Sequence, residues 1–281
     1  MKLLHTITET KQAISDARNA GKVIGLVPTM GALHEGHLSL IQNARRQCDF
    51  VVVSVFVNPT QFGPSEDFNR YPRTLEDDAH KCEQAGVDLI FAPDAQEMYP
   101  PGFDSWVEIG GVTTMLEGES RPGHFKGVAT VCLKLFNIIQ ADRAYFGQKD
   151  YQQLQVIKKM VRDLNVPIEI VQVQTVRESD GLALSSRNRY LNDYQRQAAL
   201  ILQEALKAAK RVYESGQRDG RALEQTLRNT LSSQLLAEID YAVVVDAETL
   251  LPIDNIDRPV VALLAVRIGT TRLIDNLILT D

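Results

Sequence analysis

The sequence is poor in cysteine, in aromatic residues and in long apolar runs. It has three cysteines among 281 residues, and aromatic residues make up 6%. Three cysteines, no two of them at a metal-ligand spacing, argue against a disulfide framework and indicate reduced, half-buried thiols. The longest apolar run, Val51–Val57, is far shorter than the roughly 20 residues of a membrane span. The N-terminal segment also lacks the apolar stretch of a signal peptide, so we expect a cytoplasmic protein without a membrane partner.

Basic residues are too few for a general nucleic-acid binder. The chain has 30 Lys and Arg against 36 Asp and Glu, which gives a net charge of −6. Binding to nucleic acid requires a basic surface that displaces counterions, so no nucleic-acid partner is expected. A small basic pocket for a phosphorylated ligand remains compatible with this charge.

Residues 1–176 alternate short apolar strands with helical patterns. Near-continuous apolar strands between helices are typical of a parallel sheet that is covered on both faces. We therefore predict an α/β, Rossmann-like, doubly wound domain whose ligands bind at the carboxyl ends of its strands. The strands are expected at 23–27, 51–57, 88–93, 143–147 and 168–176. The helices are expected from a cap at Thr8 to Gly21, at 38–48, from Thr74 to Gly86, at 128–140 and at 150–163.

Residues 177–281 show a different order of elements. Long helical patterns come first, at 193–214 and 219–233, and three short-linked strands follow them. This order predicts a smaller α+β C-terminal domain with an antiparallel sheet. We expect its strands at 239–247, 260–269 and 271–276.

The segment PTMGALHEGH, at 28–37, follows the first predicted strand and contains two histidines. His34 and His37 stand where a helix begins, and a spacing of three residues places both on one helix face. The N–H groups of a helix start form a natural anion site, and Gly36 lets a ligand approach the backbone. A zinc site would need a third ligand, and Glu35 points to a different face.

Two loops carry polar side chains that could face the same crevice. Gln61 follows the strand at 51–57, and an uncharged amide at that position can orient a polar substrate. Arg121, His124 and Lys126 cluster in a loop that is interrupted by glycine and proline. This loop is either solvated, with incidental charges, or a lid that contacts an anion.

The segment YFGQKDYQQLQ, at 145–155, is another strand, glycine turn and helix. Lys149 lies at the predicted helix start, where a cation is electrostatically unfavourable unless an anion binds there. Asp150 is the expected N-cap. Gln153 follows Lys149 by four residues and therefore lies on a similar side of the helix.

The predicted boundary region between the two domains, near 177–190, contains Ser185–Arg187. Two hydroxyls and a guanidinium at one place can bind phosphate oxygens and follow charge as it moves to a leaving group. The alternative is that the serines cap the long helix that follows, but Asn192 and Asp193 are already in position to do so.

Taken in order, these segments resemble the pantothenate synthetase (pantoate–β-alanine ligase) family over essentially the whole chain. HEGH also resembles the His-x-Gly-His signature of the wider nucleotidylyltransferase superfamily, whose lysine-containing second signature is absent here. LSSR stands in its place, as is normal for this family. The strings that carry the resemblance are PTMGALHEGH, SVFVNPTQF, YPRTLEDD, RPGHFKGV, FGQKDYQQL and DGLALSSRN.

The resemblance implies a two-step reaction that uses ATP and Mg²⁺. The carboxylate of (R)-pantoate attacks the α-phosphorus to give pantoyl adenylate and pyrophosphate, and the amine of β-alanine then displaces AMP to give pantothenate. It also implies a homodimer joined through the N-terminal domain. The protein ligands of the metal stay open, with Asp77 and Asp78 as the weak candidates.

The resemblance also implies roles for matching residues. His34, His37, Lys149 and Arg187 would form the catalytic set, with His37 as proton donor. Gln61 and Gln153 would hold pantoate, with Gln61 also on β-alanine, and the substrate-binding loop would contain Arg121 and His124. The ATP site would comprise Met30, Gly31, Ala32, Leu33, His34, Glu35, Gly36, His37, Gly147, Gln148, Lys149, Asp150, Val176, Leu184, Ser185, Ser186 and Arg187.

Other functions share parts of this pattern. An adenylyltransferase that attaches AMP to a cofactor precursor would share HEGH but would need no amine acceptor, and the pair of Gln61 and Gln153 argues against it. A tRNA-binding relative would need a more basic chain. A non-catalytic nucleotide-binding protein would not need so complete a set of phosphate contacts.

Overall fold

The computed structural model of this chain describes residues 1–64, 66 and 68–280. Ser65, Asp67 and Asp281 lie outside the described residues. The chain divides into two units. Unit 1 comprises Met1–Gly147 and Gln152–Val173, and unit 2 comprises Gln148–Tyr151 and Gln174–Asp281.

Unit 1 is built on six strands with helices between them. The strands are β1 (Lys2–Leu4), β2 (Ile24–Thr29), β3 (Phe50–Val55), β4 (Leu89–Phe91), β5 (Arg143–Gly147) and β6 (Glu169–Val173). The helices are α1 (Ile7–Asn19), α2 (Glu35–Gln47), α3 (Leu75–Gln84), α4 (Ala95–Met98), α5 (Glu117–Ser120), α6 (His124–Ile139) and α7 (Tyr151–Asp163).

The sheet of unit 1 is parallel throughout, in the order β1-β4-β3-β2-β5-β6. The strand order reverses between β2 and β5, and a reversal of this kind marks the crevice where parallel sheets bind ligands. The predicted α/β, doubly wound class is therefore confirmed. Strand β1 was not predicted, because its three residues are mostly exposed and form no apolar run of the kind that marks the equally short but buried β4.

Helix starts differ from the predictions where more than one residue could cap. Thr6, and not Thr8, caps α1, since the side chain of Thr6 accepts from the N–H of Glu9 and its hydroxyl donates to the Glu9 carboxylate. Helix α6 begins at His124, four residues before the predicted start, directly after Gly123 in the left-handed region. His124 is therefore helical, and the predicted loop also contains the short helix α5.

Unit 2 holds three helices and a separate antiparallel sheet. The helices are α8 (Asp193–Ala199), α9 (Ile201–Glu214) and α10 (Gly220–Ser232), and the strands are β7 (Ala237–Asp246), β8 (Val260–Ile268) and β9 (Thr271–Ile278). The strands pair in the order β7-β8-β9. The predicted single helix 193–214 is interrupted at Leu200. Asn192 caps its start as expected, with Gln195 rather than Asp193 as its capping-box partner.

Each unit has its own apolar core. In unit 1, Val51, Val53 and Ile41 are among the fully buried residues that pack between sheet and helices. In unit 2, Leu223, Leu227 and Leu231 recur at helical spacing along α10 and are fully buried. In the described part of the chain, no helix is long and apolar enough to cross a membrane.

The three cysteines are free and buried more deeply than predicted. Burial raises the pKa of Cys82 and of Cys132 to about 12. Both thiols therefore stay protonated at neutral pH, which suits a role in packing rather than in chemistry.

We predict that Gly127→Ala destabilises the fold through one contact. A Cβ at this position of α6 would lie 2.3 Å from the carbonyl oxygen of Thr60 and 2.7 Å from the nitrogen of Gln61. Main chain cannot move aside as a flexible side chain would, so the free energy of unfolding should fall by about 1–3 kcal/mol. Urea denaturation measures this change.

The control is Gly110→Ala, because a Cβ there meets no atom within 4 Å. Its free energy of unfolding should stay within about 0.5 kcal/mol of the parent. Equal denaturation midpoints for the two variants would contradict the proposed contact.

Candidate active site

The turn after β2 is held in an uncommon backbone conformation. Gly31 and Ala32 have φ angles of 83° and 51°, and the second is unfavourable for a residue with a Cβ. Asp78, on α3, compensates for this turn. Its carboxylate accepts from the N–H of Ala32 at 2.9 Å and from the N–H of Leu33 at 2.7 Å, and it is fully buried.

A second side chain of α3 contacts the same turn. The Nζ of Lys81 donates to the carbonyl oxygen of Leu33 at 2.7 Å. The side chain of Leu33 is buried in the core of unit 1. Leu33 was predicted to line the ATP site, but its side chain and both of its main-chain polar groups are used to hold the turn.

The turn leads into α2 through a cap made by the two predicted histidines. The Nδ1 of His34 accepts from the N–H of Gly36 at 3.1 Å, and the Nδ1 of His37 accepts from the N–H of His34 at 3.4 Å. The rings are tilted against each other with centroids 4.1 Å apart. The structure therefore brings His34 and His37 together at the start of a helix, at the carboxyl end of β2.

This cap determines which ring nitrogen carries the hydrogen in each neutral imidazole. A ring nitrogen that accepts a hydrogen bond carries no hydrogen, so Nδ1 as acceptor leaves the hydrogen on Nε2 in both neutral rings. Each histidine is then a hydrogen-bond donor through Nε2, close to the N–H groups of a helix start. Donors in this arrangement suit an anion such as a phosphate.

Gln61 lies in a second turn, after β3, and is largely buried. Its Oε1 accepts from the Nδ2 of Asn58 at 3.1 Å, and its Nε2 lies 3.1 Å from the Sδ of Met30. Asn58 is the N-cap of the short 3₁₀ turn Pro59–Gln61. The predicted acid-binding amide is thus fixed beside the first residue of the predicted nucleotide segment.

A chain of hydrogen bonds supports Gln61 from the other side. The Nδ1 of His124 lies 2.9 Å from the carbonyl oxygen of Gln61, and the Nη1 of Arg121 lies 3.1 Å from the Nε2 of His124. Arg121 also pairs with both carboxylate oxygens of Glu66, at 2.6 and 2.8 Å. Arg121 and His124 are therefore brought together as predicted, but in this conformation they position Gln61.

The charge states of this chain follow from its environment. Burial, together with the neighbouring Arg121 charge, lowers the pKa of His124 to about 4. Neutral His124 can donate from Nδ1 to Gln61 and accept at Nε2 from Arg121, as the geometry requires. Burial opposes ionisation of Glu66, but the hydrogen bonds and charge of Arg121 outweigh it and hold the pKa of Glu66 below its usual value.

Other predicted site residues lie on β5, on α7 and in the turn that joins these two elements. In unit 1, Gly147 ends β5 and Gln153 is half-buried on α7. In unit 2, the Nζ of Lys149 lies 3.6 Å from Asp150 within a 3₁₀ turn, Gln148–Asp150, so α7 starts one residue later than predicted.

Val176 and Leu184, also in unit 2, face each other across a hairpin, in which the N–H of Leu184 donates to the carbonyl oxygen of Val176 at 3.0 Å. The hydroxyl of Ser185 accepts from the N–H of Arg187 and caps a 3₁₀ turn, Ser186–Tyr190, rather than the long helix. The Arg187 side chain is exposed.

Sequence reasoning missed the residues that hold this site. Asp78 looked like an ordinary acid in the first turn of a helix, or a weak metal candidate, because its partners are 45 and 46 residues away. Asn58 could have been found, since Asn followed by Pro is a recognisable turn start. Among the described residues, no group of three or more His, Cys, Asp or Glu side chains is placed to hold a metal ion.

The chain is similar to proteins of known family over its whole length. The family profile described as pantoate-beta-alanine ligase matches residues 2–278. A pantothenate synthetase of Moorella thermoacetica is 54% identical over 279 residues, which covers 99% of each chain. One of Acetivibrio thermocellus is 52% identical over 278 residues, again covering 99% of each chain.

Solved structures agree with these relatives. The crystal structure of a pantothenate synthetase from Thermus thermophilus superposes with a TM-score of 0.94 at 48% identity and covers 100% of both chains. A pantoate-beta-alanine ligase from Francisella tularensis, complexed with beta-gamma ATP and beta-alanine, gives a TM-score of 0.78 at 35% identity and covers 99% of this chain and 98% of its own. The chain belongs to the pantoate–β-alanine ligase family.

Proposed function

We propose that this chain joins (R)-pantoate to β-alanine at the expense of ATP, through a pantoyl adenylate. The carboxylate of pantoate attacks the α-phosphorus and releases pyrophosphate. The amine of β-alanine then attacks the acyl carbon and releases AMP. The substrate supplies the nucleophile in both steps, so the protein needs no covalent nucleophile of its own.

The contact between Gln61 and Met30 carries this proposal. Adenylate formation requires a carboxylate and an α-phosphorus in line at one place, and alignment of this kind supplies much of the catalysis. The amide proposed for pantoate lies 3.1 Å from the residue that begins the proposed nucleotide segment. This contact supports the proposal, because it brings the two segments together within unit 1.

His34 and His37 supply hydrogen bonds to the phosphates in this proposal. Repulsion between a carboxylate and a triphosphate opposes the first step, and fixed donors reduce it without reorganising during the reaction. The Nδ1 caps hold both rings, so each Nε2–H is fixed in direction. His37 then donates toward the phosphate oxygen on which charge develops as pyrophosphate leaves.

In unit 2, Lys149 and Arg187 supply the positive charge for the phosphates. Mg²⁺ enters with ATP as part of the substrate, since it favours phosphate oxygens and waters over all-protein cages. Gln153 is a second amide for pantoate, and the chain works as a homodimer, as the family resemblance implies.

Measurement of AMP release tests the proposal directly. The complete mixture of ATP, Mg²⁺, (R)-pantoate and β-alanine should give AMP and pantothenate, and omission of any substrate should stop both. Exchange of pyrophosphate into ATP should need pantoate but not β-alanine. A dinucleotide product without AMP would instead indicate an adenylyltransferase.

We predict that His37→Ala slows adenylate formation by a factor on the order of 10²–10⁴, the range for a positioned proton or hydrogen-bond donor. The reaction of supplied pantoyl adenylate with β-alanine should change less, because no pyrophosphate leaves in that step. Single-turnover assays of the two half-reactions measure both effects. Equal losses in both steps would contradict this role.

His37→Gln and His80→Ala are the controls for this prediction. Glutamine is a standard capping-box residue at this position, so His37→Gln should keep the melting temperature while the rate stays low. A parental rate in His37→Gln would show that His37 acts only as a helix cap. His80 is exposed on α3, and His80→Ala should leave both half-reactions unchanged.

We predict a pH-dependent stability from neutral His124. Its pKa is lowered from 6.5 to about 4, so the unfolded chain binds the proton first as the pH falls. The contribution of neutral His124 to the free energy of unfolding is present above pH 6.5. It is lost progressively down to pH 4, by an amount on the order of 3 kcal/mol.

The free energy of unfolding should therefore fall more steeply with acid in the parent than in His124→Asn. Asparagine keeps a donor for the Gln61 carbonyl but does not titrate, while Arg121, Glu66 and Glu117, which surround the site, stay in place. Parallel pH profiles for the two proteins would refute the assignment.

A further inference from the structure

The turn Gln148–Asp150, which carries Lys149, belongs to unit 2. It lies between β5 and α7 along the chain, yet it belongs with residues 174–281 and not with unit 1. The side chain that bonds this turn is on β9, at Asn276, which is 2% exposed. No sequence signal indicates this role, because Asn276 ends an ordinary strand pattern.

Both the nitrogen and the oxygen of the Asn276 side-chain amide form hydrogen bonds with this turn. Its Nδ2 donates to the carbonyl oxygen of Gln148 at 2.9 Å and to that of Lys149 at 2.9 Å. Its Oδ1 accepts from the Nε2 of Gln148 at 3.2 Å. Two of these bonds hold the main chain that carries the Lys149 side chain, and the third holds the Gln148 side chain beside it.

The neighbouring residue fixes Asn276 in turn. The Oδ1 of Asp275 accepts from the N–H of Asn276 at 2.8 Å, and the carboxylate pairs with both terminal nitrogens of Arg177, at 2.7 and 3.0 Å. The Asp275 side chain is 1% exposed. A buried, bidentate pair of this kind is directional and is disrupted at high cost.

Arg177 extends the network to the second segment proposed to contact ATP. Its Nη1 donates to the carbonyl oxygen of Gly181 at 3.2 Å, within the hairpin that leads to Leu184. Glu178, in the same hairpin, accepts from the Nδ2 of Asn188 at 2.6 Å. Asn188 follows Ser185–Arg187 directly, so one network holds both the Lys149 turn and the Arg187 turn.

We propose that Asn276 is a positioning residue for ATP: by bonding the carbonyl groups of Gln148 and Lys149 to β9, it fixes Lys149 and Arg187 as one set for the phosphates. This inference rests on the proposed function, since it takes Lys149 and Arg187 as phosphate contacts. It adds a role for a residue that touches neither substrate nor reacting atoms.

Asn276→Asp is the sharpest test. It keeps the size of the side chain but places carboxylate oxygens opposite two carbonyl oxygens, so both bonds to the turn are lost. The KM for ATP in adenylate formation should rise roughly tenfold, because the displaced Lys149 side chain no longer contacts the phosphates of ATP. The rate of β-alanine with supplied pantoyl adenylate should stay within about twofold of the parent.

Amide hydrogen exchange gives a readout that is independent of activity. In Asn276→Asp, exchange at Gln148–Asp150 should become faster, while exchange in α10 of the same unit stays as in the parent. An unchanged exchange rate at the turn would overturn the proposal whatever happens to the activity.

Two controls separate positioning from loss of stability. Leu231→Ala removes a fully buried side chain from the core of unit 2, so it should lower the melting temperature and leave the KM for ATP unchanged. Asn229→Asp makes the same chemical change on the exposed face of α10 and should alter neither. If Leu231→Ala raises the KM as much as Asn276→Asp does, the role is merely structural.

The failure of this inference differs from the failure of the proposed function. If the parent protein forms no AMP from the three substrates, the proposed function is wrong. If the parent is active and Asn276→Asp keeps the parental KM for ATP, the function stands and the positioning role is wrong.

Discussion

The carboxylate of Asp78 is the interaction on which the rest of the site in unit 1 depends. A fully buried carboxylate is costly unless donors surround it, and here the N–H groups of Ala32 and Leu33 and the hydroxyl of Thr74 provide them. In return, the carboxylate stabilises a turn that Ala32 does not favour. The direction of α2, and with it the position of both histidines, follows from this turn.

Several polar side chains in both units bond to backbone groups of the segments that carry the proposed site residues. Asp78 and Lys81 hold the turn before α2, His124 holds the carbonyl of Gln61, and Asn276 holds the Lys149 turn. This division is physically sensible, because catalysis by alignment and fixed dipoles needs groups that do not reorganise. The supporting residues therefore fix the positions of the groups that are proposed to contact the substrates.

Prediction from the sequence succeeded where a signal is local and failed where it is distant. The apolar runs predicted the five buried parallel strands β2 to β6, and the spacing of His34 and His37 predicted a shared face at a helix start. The mostly exposed strand β1 and the break at Leu200 left no such pattern. The roles of Asp78 and Asn276 depend on partners far away in the chain, and no spacing in the sequence could indicate them. The contacts by which Leu33 and His124 support the backbone could be seen only in the structure.

The membership of Gln148–Tyr151 in unit 2 has a consequence for how such a chain can evolve. The first unit is interrupted by four residues that belong to the second, so no single crossover between genes can exchange one unit intact. A recombinant that took residues 174–281 from a distant homologue would combine its own turn 148–150 with the β9 strand of the homologue. Asn276 and residues 148–149 should therefore be inherited together, and the two units should diverge as a pair.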